Sequence, residues 1–566
     1  MPGVRQRPDA PVSGQEASFD LLVIGGGING CGIARDAAAR GLRVGLVEQA
    51  DLCHGTSRWS SRLIHGGLRY LEHQEFRLVR ESLRERETLL WTAPHLVHPL
   101  PLLVPLYQGA RRGRWLIRAG LTVYDLLSLR KSLPPHRLLS SADALRLAPG
   151  LKPEGLAGAG YYFDAQAVFP ERLVVENAVA AARSGAEILT RHRVERILVR
   201  ERRVQGVECL DLRGQRRVRL AAAAVVNAAG PWVDRVLAGL DRDPPDMLGG
   251  SKGTHIVLPR FPGAPLFACY AEARSDGRPY FIIPWQGLLL VGTTDIRYRG
   301  DPDDASADPA EIDYLLAETR ALFPAARLGR EDILFHYTGV RPLPAGDGED
   351  MGEVSRRHWL RHHGREARGL YSVIGGKLTT YRSLAEEVVD RVCSRLRGAR
   401  RPCMTRRLPL PGANRDLLDV AAELAAYPDL PATARPRLLG LYGARAIELA
   451  RLIETEPRLG HCIDERSGLL AAELLFATDT EFAGSLADLL LRRCMVGLGP
   501  DLGRSALPGS LQVAGEFLGW DQERQERERA DYLAEIGRLR SGLPDVPAVQ
   551  WRQSISANSS RPRPGR

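Results

Sequence analysis

The apolar run from Phe19 to Ile24 reads as a buried parallel strand, and glycines follow it at once. Helical spacing of apolar and small residues then extends from about Asn29 to Arg40, and a second apolar run, Arg43 to Val47, ends at Glu48. This order predicts a strand–helix–strand unit with parallel strands. Further strands are predicted at 186–189, 194–199, 204–210, 223–227, 280–284, 288–292 and 370–374, with a helix at 171–184, so the body is mixed α/β with a β-rich middle. From about residue 405 the pattern changes. Stretches such as DLLDVAAELAAY and LADLLLRRCMVGL carry helical spacing and few β-branched clusters, which predicts a separate helical domain over 405–541. Its entry, LPLPGAN at 408–414, reads as a linker because two prolines and a glycine stop the preceding helix. Residues 1–17 and 542–566 have no apolar period and too little to bury, and are predicted to be disordered tails.

Composition narrows the class. The 566 residues, 44% of them apolar, suffice for two or three domains. No apolar run reaches the roughly 18 residues that span a bilayer, and no apolar signal segment follows the N-terminal arginines, so a cytosolic chain is expected. The eight cysteines form no C-x-x-C pair, so neither a disulfide framework nor a zinc site is expected. A net charge of +10 favours an anionic partner, whether phosphorylated substrate, acidic lipid or nucleic acid. Only Lys131, Lys152, Lys252 and Lys377 are lysine among the basic residues. Against that arginine background, a surviving lysine hints at a required compact ammonium.

Gly25, Gly27 and Gly30 in VIGGGING sit between a strand and a helix, where they allow a tight turn and a close approach of a pyrophosphate to the helix N-terminus, beside Asn29. Glu48, at the end of the next strand, suits a ribose diol rather than a 2′-phosphate. FAD and NAD share this signature, and the additional glycine-rich elements favour FAD. VVNAAGPWVD (225–234) ends a strand in small residues that include Ala229 and Gly230, and SVIGGKLTTYR (372–382) sets Gly375 and Gly376 between another strand and another helix. A second helix N-terminus aimed at an isoalloxazine would stabilise negative charge at its N1–C2=O edge.

With GTSRWSSRLIHGGLRYLEH (55–73), SKGTHIVLP, VGTTD, YTGVRPL and GGKLTTYR, the chain resembles the FAD-dependent glycerol-3-phosphate dehydrogenases, a branch of the D-amino-acid-oxidase-like flavoproteins, from about residue 19 to 540. The resemblance implies a Rossmann-like FAD-binding domain (about 18–85, 155–230 and 335–400), a mixed-sheet substrate or cap domain (86–154 and 231–334) and an all-helical C-terminal domain. It implies non-covalent FAD held by the glycines above with Thr56, Ser57, Gly66, Gly67, Lys377 and Leu378. For the substrate, sn-glycerol 3-phosphate, it implies Arg69, Tyr70, Arg341, Lys377 and Thr379. His65 and His255 are the candidate bases, with His255 preferred, for oxidation to dihydroxyacetone phosphate by hydride transfer from C2 to FAD N5. Converging Arg and Lys donors on glycine-bounded segments suit a dianionic phosphate independently of the resemblance. The ordinary alternative for Arg69 and Arg341 is surface ion pairing. Lys252, beside His255, either neutralises phosphate or pairs with a carboxylate.

Two residues depart from the family pattern. Arg62 stands where lysine is common and fits the drift toward arginine, whereas Trp59 stands where a small residue is usual and puts flavin-loop contacts in question. Cys53 and His54 are read as ordinary loop members. The resemblance further implies a membrane quinone as electron acceptor. RRGRWLIRAGLTVYDLLSLRKSLPPHR (111–137) reads either as a basic amphipathic helix for an anionic membrane surface or as a buried helix with a solvated basic edge. A homodimer is left open. The rival readings are an oxygen-using oxidase of the same fold, disfavoured by the short interval between Arg341 and Lys377; an amino-acid oxidase; and a flavin-dependent RNA-binding protein, disfavoured because no aromatic-rich basic stripe is present.

Overall fold

The computed structural model describes residues 18–129, 131–240, 246–345, 357–396 and 401–544, so the tail expected at 1–17 and most of that at 542–566 lie outside the described residues. Two large sheets organise the first two thirds of the chain. At the centre of the first, Ser18–Ile24 pairs in parallel with Val44–Val47 on one side and Arg216–Asn227 on the other. Ile24 faces both Val47 and Asn227, so the three strands end level and Gly25, Glu48 and Ala228 emerge along one edge. Leu370–Ile374 extends the sheet beyond Arg216–Asn227 and delivers Gly375 to the same edge. Glu187–Leu189 extends the sheet on the far side, and the antiparallel strands His192–Arg200 and Arg203–Asp211 fold back onto Arg216–Asn227. The central strands are buried on both faces, as their unbroken apolar runs require. Helix Ile28–Ala39 covers one face, packed between helices Pro170–Arg183 and Tyr381–Cys393.

The second sheet has ten strands and is mainly antiparallel. Its functional strand is Ser251–Pro259, flanked by Leu288–Gly292 and Phe335–Arg341; His255 lies opposite Gly292 on one side and Tyr337 on the other. This sheet also takes in Leu63–Ile64, Leu156–Ala167 and Phe335–Arg341, which fall within the segments expected to build the dinucleotide-binding part. Val97–Tyr107, which three prolines interrupt, is a strand that the sequence reading did not list. Pro99, Pro101 and Pro105 share one parity, so the missing N–H groups leave a full ladder to Leu156–Ala167, while pairing with Ala268–Glu272 is limited to Leu102 and Leu103.

The C-terminal region is built from helices that include Leu417–Ala425, Ala446–Thr455, Ala471–Thr480, Leu507–Leu518 and Gln522–Arg538. A two-stranded ribbon, Cys462–Asp464 with Leu469–Leu470, interrupts them, so this region is not purely helical. LPLPGAN is not a free linker. Leu410 is fully buried and donates its N–H to Thr92 O, and Gly412 N–H donates to the buried Glu176 carboxylate at 2.7 Å. No helix among the described residues is long and apolar enough to cross a membrane. The basic segment 111–137 is shorter as a helix than expected: Arg114–Leu127 is helical and Arg137 opens a strand.

Candidate active site

A cavity of about 860 Å³ runs from the edge of the first sheet to the face of the second. Its sheet-edge half is a dinucleotide cradle. Gly25 adopts φ +109°, and a Cβ there would lie 2.6 Å from Ala228 O, so only glycine permits this approach of the two strand ends. Gly27 occupies the N-cap of helix Ile28–Ala39 without a side-chain cap, and the first turn holds no acidic residue, which leaves the positive helix end to an anion. Ser57 Oγ accepts from Ile28 N–H at 3.0 Å and so ties the 55–57 turn to that helix end. The Glu48 carboxylate accepts from Gly26 N–H at 2.6 Å and Ala50 N–H at 2.8 Å, which fixes it at the cavity wall. Burial raises its pKa, and those two N–H groups oppose the rise. Gly375 and Gly376, with φ +72° and +97°, turn the chain from strand Leu370–Ile374 into Lys377, the cap of a second helical start at Leu378–Thr380.

The other half of the cavity gathers the expected substrate residues. His65, Arg69, Tyr70, His255, Arg341, Lys377 and Thr379 all line it. Arg341 is held by four acceptors: Nη1 donates to Asp295 at 2.9 Å and Ser251 Oγ at 3.3 Å, and Nη2 to Thr293 Oγ1 at 3.0 Å and Thr294 O at 3.1 Å. Its partner carboxylate thus lies inside the cavity rather than on the surface. Arg69, on the turn Leu68–Leu71, is half-buried and pairs with no carboxylate among the described residues. Lys377 Nζ sits 3.7 Å from the centre of the Tyr70 ring. His255 is buried, stacked on Tyr337 with ring centres 5.0 Å apart, and hydrogen-bonded through Nε2 to Ser61 Oγ at 2.8 Å; its Nδ1 has no partner among the described residues. His65 donates its backbone N–H to Thr379 Oγ1 at 3.1 Å. Burial drives both imidazoles down to about 3, helped by Lys377 and Arg86 at His65 and by Arg341 and Arg62 at His255. Both are therefore neutral near pH 7.

Asn29, Thr56, Ser57, Gly67, Ala229, Gly230 and Leu378 also reach the cavity, whereas Gly30 and Gly66 do not. A Cβ at Gly30 would collide with Gly25 O, and Gly66 packs against Tyr124, to whose hydroxyl it donates at 2.8 Å. Both glycines serve packing behind the site. Lys252 pairs with Asp308 at 2.7 Å and Glu311 at 3.0 Å and neutralises carboxylates, not a ligand. Arg62 is fully buried in a two-pronged pair with Glu171, both bonds 3.0 Å, and lies over the Trp285 ring. Trp59 lines the cavity and extends the ring stack beyond Tyr337 at 5.1 Å. Cys53 is buried with φ +63°, and burial raises its thiol pKa far above the usual range. The sequence reading named the VGTTD and GTHIV motifs but missed what their small residues do: Gly253 leaves room for the Arg341 guanidinium and Gly292 for the His255 ring. Trp232, whose ring would meet a Cβ at Gly55 at 2.8 Å, was missed as a wall of the cradle, as was Arg278 at the substrate end.

Residues 20–382 match the family model described as FAD dependent oxidoreductase, and residues 403–525 match the C-terminal domain of alpha-glycerophosphate oxidase. A glycerol-3-phosphate dehydrogenase from Synechocystis sp. is 46% identical over 531 residues, covering 92% of this chain and 96% of the relative. A D-erythritol 1-phosphate dehydrogenase from Brucella abortus is 39% identical over 488 residues, 84% and 93% of the two chains. The structure of the glycerol-3-phosphate dehydrogenase from Bacillus halodurans complexed with FAD superposes with a TM-score of 0.76 at 29% identity, over 94% of this chain and 97% of that one. The helix end without an acidic residue, the Gly25 approach and the Glu48 carboxylate suit the cofactor in that complex. The chain belongs to the FAD-dependent oxidoreductase family.

Proposed function

We propose that this enzyme oxidises the C2 hydroxyl of sn-glycerol 3-phosphate to give dihydroxyacetone phosphate. The supporting observation is that Arg69, Arg341 and Lys377 share one cavity with two neutral histidines, the buried His255 and the half-buried His65, and with the dinucleotide cradle. Bound FAD supplies the acceptor, at N5, for the hydride leaving C2. Arg69, which has no carboxylate partner among the described residues, takes the phosphate, with Lys377 beside it. Arg341, immobilised by Asp295 and Thr293, faces charge developing on the C2 oxygen without having to reorganise. His255 accepts the hydroxyl proton, with Ser61 and the Tyr337 stack holding its ring in place; His65 is the second candidate. The Glu48 carboxylate, with Gly25 and Gly27, holds the cofactor's ribose and pyrophosphate.

The segment Arg114–Leu127 supports peripheral docking on an anionic membrane and delivery of electrons to a quinone. Ile117, Leu121 and Tyr124 are buried beneath the helix, while Trp115 and Leu116 beside Arg114 and Arg118, and Leu126 at the far end, stay exposed. One face is thus packed in the fold, and the exposed face is the one that would meet the membrane. On this reading the basic charge serves the substrate phosphate and an anionic membrane surface rather than nucleic acid. The name of the Brucella relative brings a second substrate, a four-carbon polyol phosphate, into the test. The purified enzyme is mixed anaerobically with either phosphate and its visible spectrum followed. Bleaching by glycerol 3-phosphate at low concentration supports the proposal; bleaching only by the tetritol phosphate, or by neither, overturns it. Oxygen consumption that outpaces quinone reduction would identify an oxidase instead.

A further inference from the structure

The loop that runs from Asp51 to Trp59 supplies Thr56 and Ser57 to the cofactor cavity, yet both of its ends are anchored in the C-terminal helical region, more than 400 residues away in sequence. Asp51 is fully buried. It accepts from Arg492 Nε at 2.8 Å and from Arg493 through Nη1 at 2.9 Å and Nη2 at 2.7 Å. At the other end Arg58 donates to Glu535 at 3.0 Å, and the same carboxylate oxygen accepts from Arg492 at 2.8 Å. Arg492 is thus shared by the two anchors, and it is itself held to Asp488 at 2.7 Å within the π-helical turn Asp488–Arg493. Between the anchors, Ser57 Oγ accepts from Ile28 N–H at the helix end that faces the dinucleotide. Thr56 Oγ1 donates to Val340 O, next to Arg341, at 2.6 Å.

We propose that the C-terminal region acts as a clamp on this loop, with Arg493, Arg492 and Glu535 as positioning residues for FAD binding. A short loop fixed only by its own backbone would leave the Ser57 and Thr56 hydroxyls to sample many placements. A fully buried carboxylate gripped by two arginines at one end, and an arginine held by the half-buried Glu535 at the other, restrict that freedom before the cofactor arrives. The clamp acts on cofactor retention and not on substrate choice, so it stands apart from the identity of the oxidised alcohol. It also gives the C-terminal region a role at the cofactor, although none of the described residues that line the cavity comes from it.

The test titrates FAD into apo-protein and follows quenching of flavin fluorescence for three full-length variants. Arg493→Lys keeps the charge but loses the two-pronged grip on Asp51; Glu535→Gln releases Arg58 from a partly exposed position and is the milder change. Arg445→Lys is the control, because Arg445 bridges Glu176 and Glu481 at the same interface but does not touch the loop. The expected result is a Kd for FAD raised about tenfold or more in the first two variants. KM for the substrate at saturating FAD should be unchanged in both, and the Kd of the control should be unaltered even if its melting temperature drops. Should Arg493→Lys fail to fold, Glu535→Gln decides. Parental FAD affinity in the folded loop variants, or equal weakening in Arg445→Lys, would overturn the clamp.

Discussion

Gly253→Ala adds a single methyl group at a point where the fold can accept it and the substrate end cannot. A Cβ at Gly253 would lie deep inside van der Waals contact of the Arg341 guanidinium and 2.5 Å from Thr293 Oγ1. Gly253 is in strand Ser251–Pro259 and is not among the positive-φ glycines, so its backbone suits alanine. The closest obstruction is the far end of a flexible side chain, which can swing away. Swinging away breaks the Nη2 bonds to Thr293 and Thr294 and removes Arg341 from its fixed position. A hydrogen bond to a charged group contributes about 1.5–3 kcal/mol, so losing one such contact in the transition state lowers kcat/KM by about 10- to 100-fold. The assay is anaerobic dye reduction across a glycerol 3-phosphate series, with flavin content and melting temperature measured on the same preparations. Because the methyl acts through Arg341, adding Gly253→Ala to Arg341→Ala should cost little beyond the arginine variant alone. An unchanged kcat/KM in a flavin-replete Gly253→Ala enzyme, or losses that simply add in the double variant, would refute the reasoning.

Three further outcomes are expected. His255→Ala should lower kcat by about 10²–10⁴-fold, while His65→Ala should act mainly on KM; stopped-flow flavin reduction separates them, and a His255 variant that turns over normally would pass the role to His65. Stability should fall as pH drops below about 6.5, because His54, His65 and His255 sit near about 3 when folded and the unfolded chain binds their protons first. The three together cost up to about 4 kcal/mol at pH 5.5, since each loses about 1.4 kcal/mol per pH unit below its unfolded value. Glu481 and Glu535, held at about 2, add losses only below their unfolded value near 4.5, so thermal melts that stay flat from pH 7.5 to 5.5 would contradict the buried histidines. Arg62→Met should destabilise by about 3–5 kcal/mol by stranding Glu171, and Arg62→Met/Glu171→Leu should recover much of that; chemical denaturation of both variants checks the pair.

The parts of this protein that were legible in its sequence are those in which a local pattern has one physical solution. A fully apolar strand, a glycine turn, a helix and a carboxylate at the next strand end admit few arrangements, and the observed helix Ile28–Ala39 and strand Val44–Val47 begin or end within a residue of their expected limits. Leu288–Gly292 and Leu370–Ile374 match their expected bounds for the same reason. Strand Val97–Tyr107 was not legible because its prolines are tolerable only through one-sided pairing, and pairing is a property of the neighbours. The linker expectation at 408–414 failed in the same way. Two prolines and a glycine do end a helix, but they do not reveal that Leu410 and Gly412 will be buried against Thr92 and Glu176.

The site divides along the same line. Residues whose chemistry is stated by type, such as a lysine after paired glycines or an arginine in a glycine-bounded strand, could be named from sequence and lie in one cavity. Residues that act by being small, or by holding a partner, could not. Gly253 matters only because Arg341 arrives from the adjacent strand, and Gly292 because His255 lies directly opposite. Arg62 shows the converse. As a departure from the family pattern it was ascribed to the arginine drift, yet it is buried against Glu171 and Trp285, where an arginine offers a second prong to the carboxylate and a flat face to the ring that a lysine lacks. Retention of a lysine against the arginine drift is not by itself a functional signal, because Lys377 lines the cavity whereas Lys252 is taken up by Asp308 and Glu311.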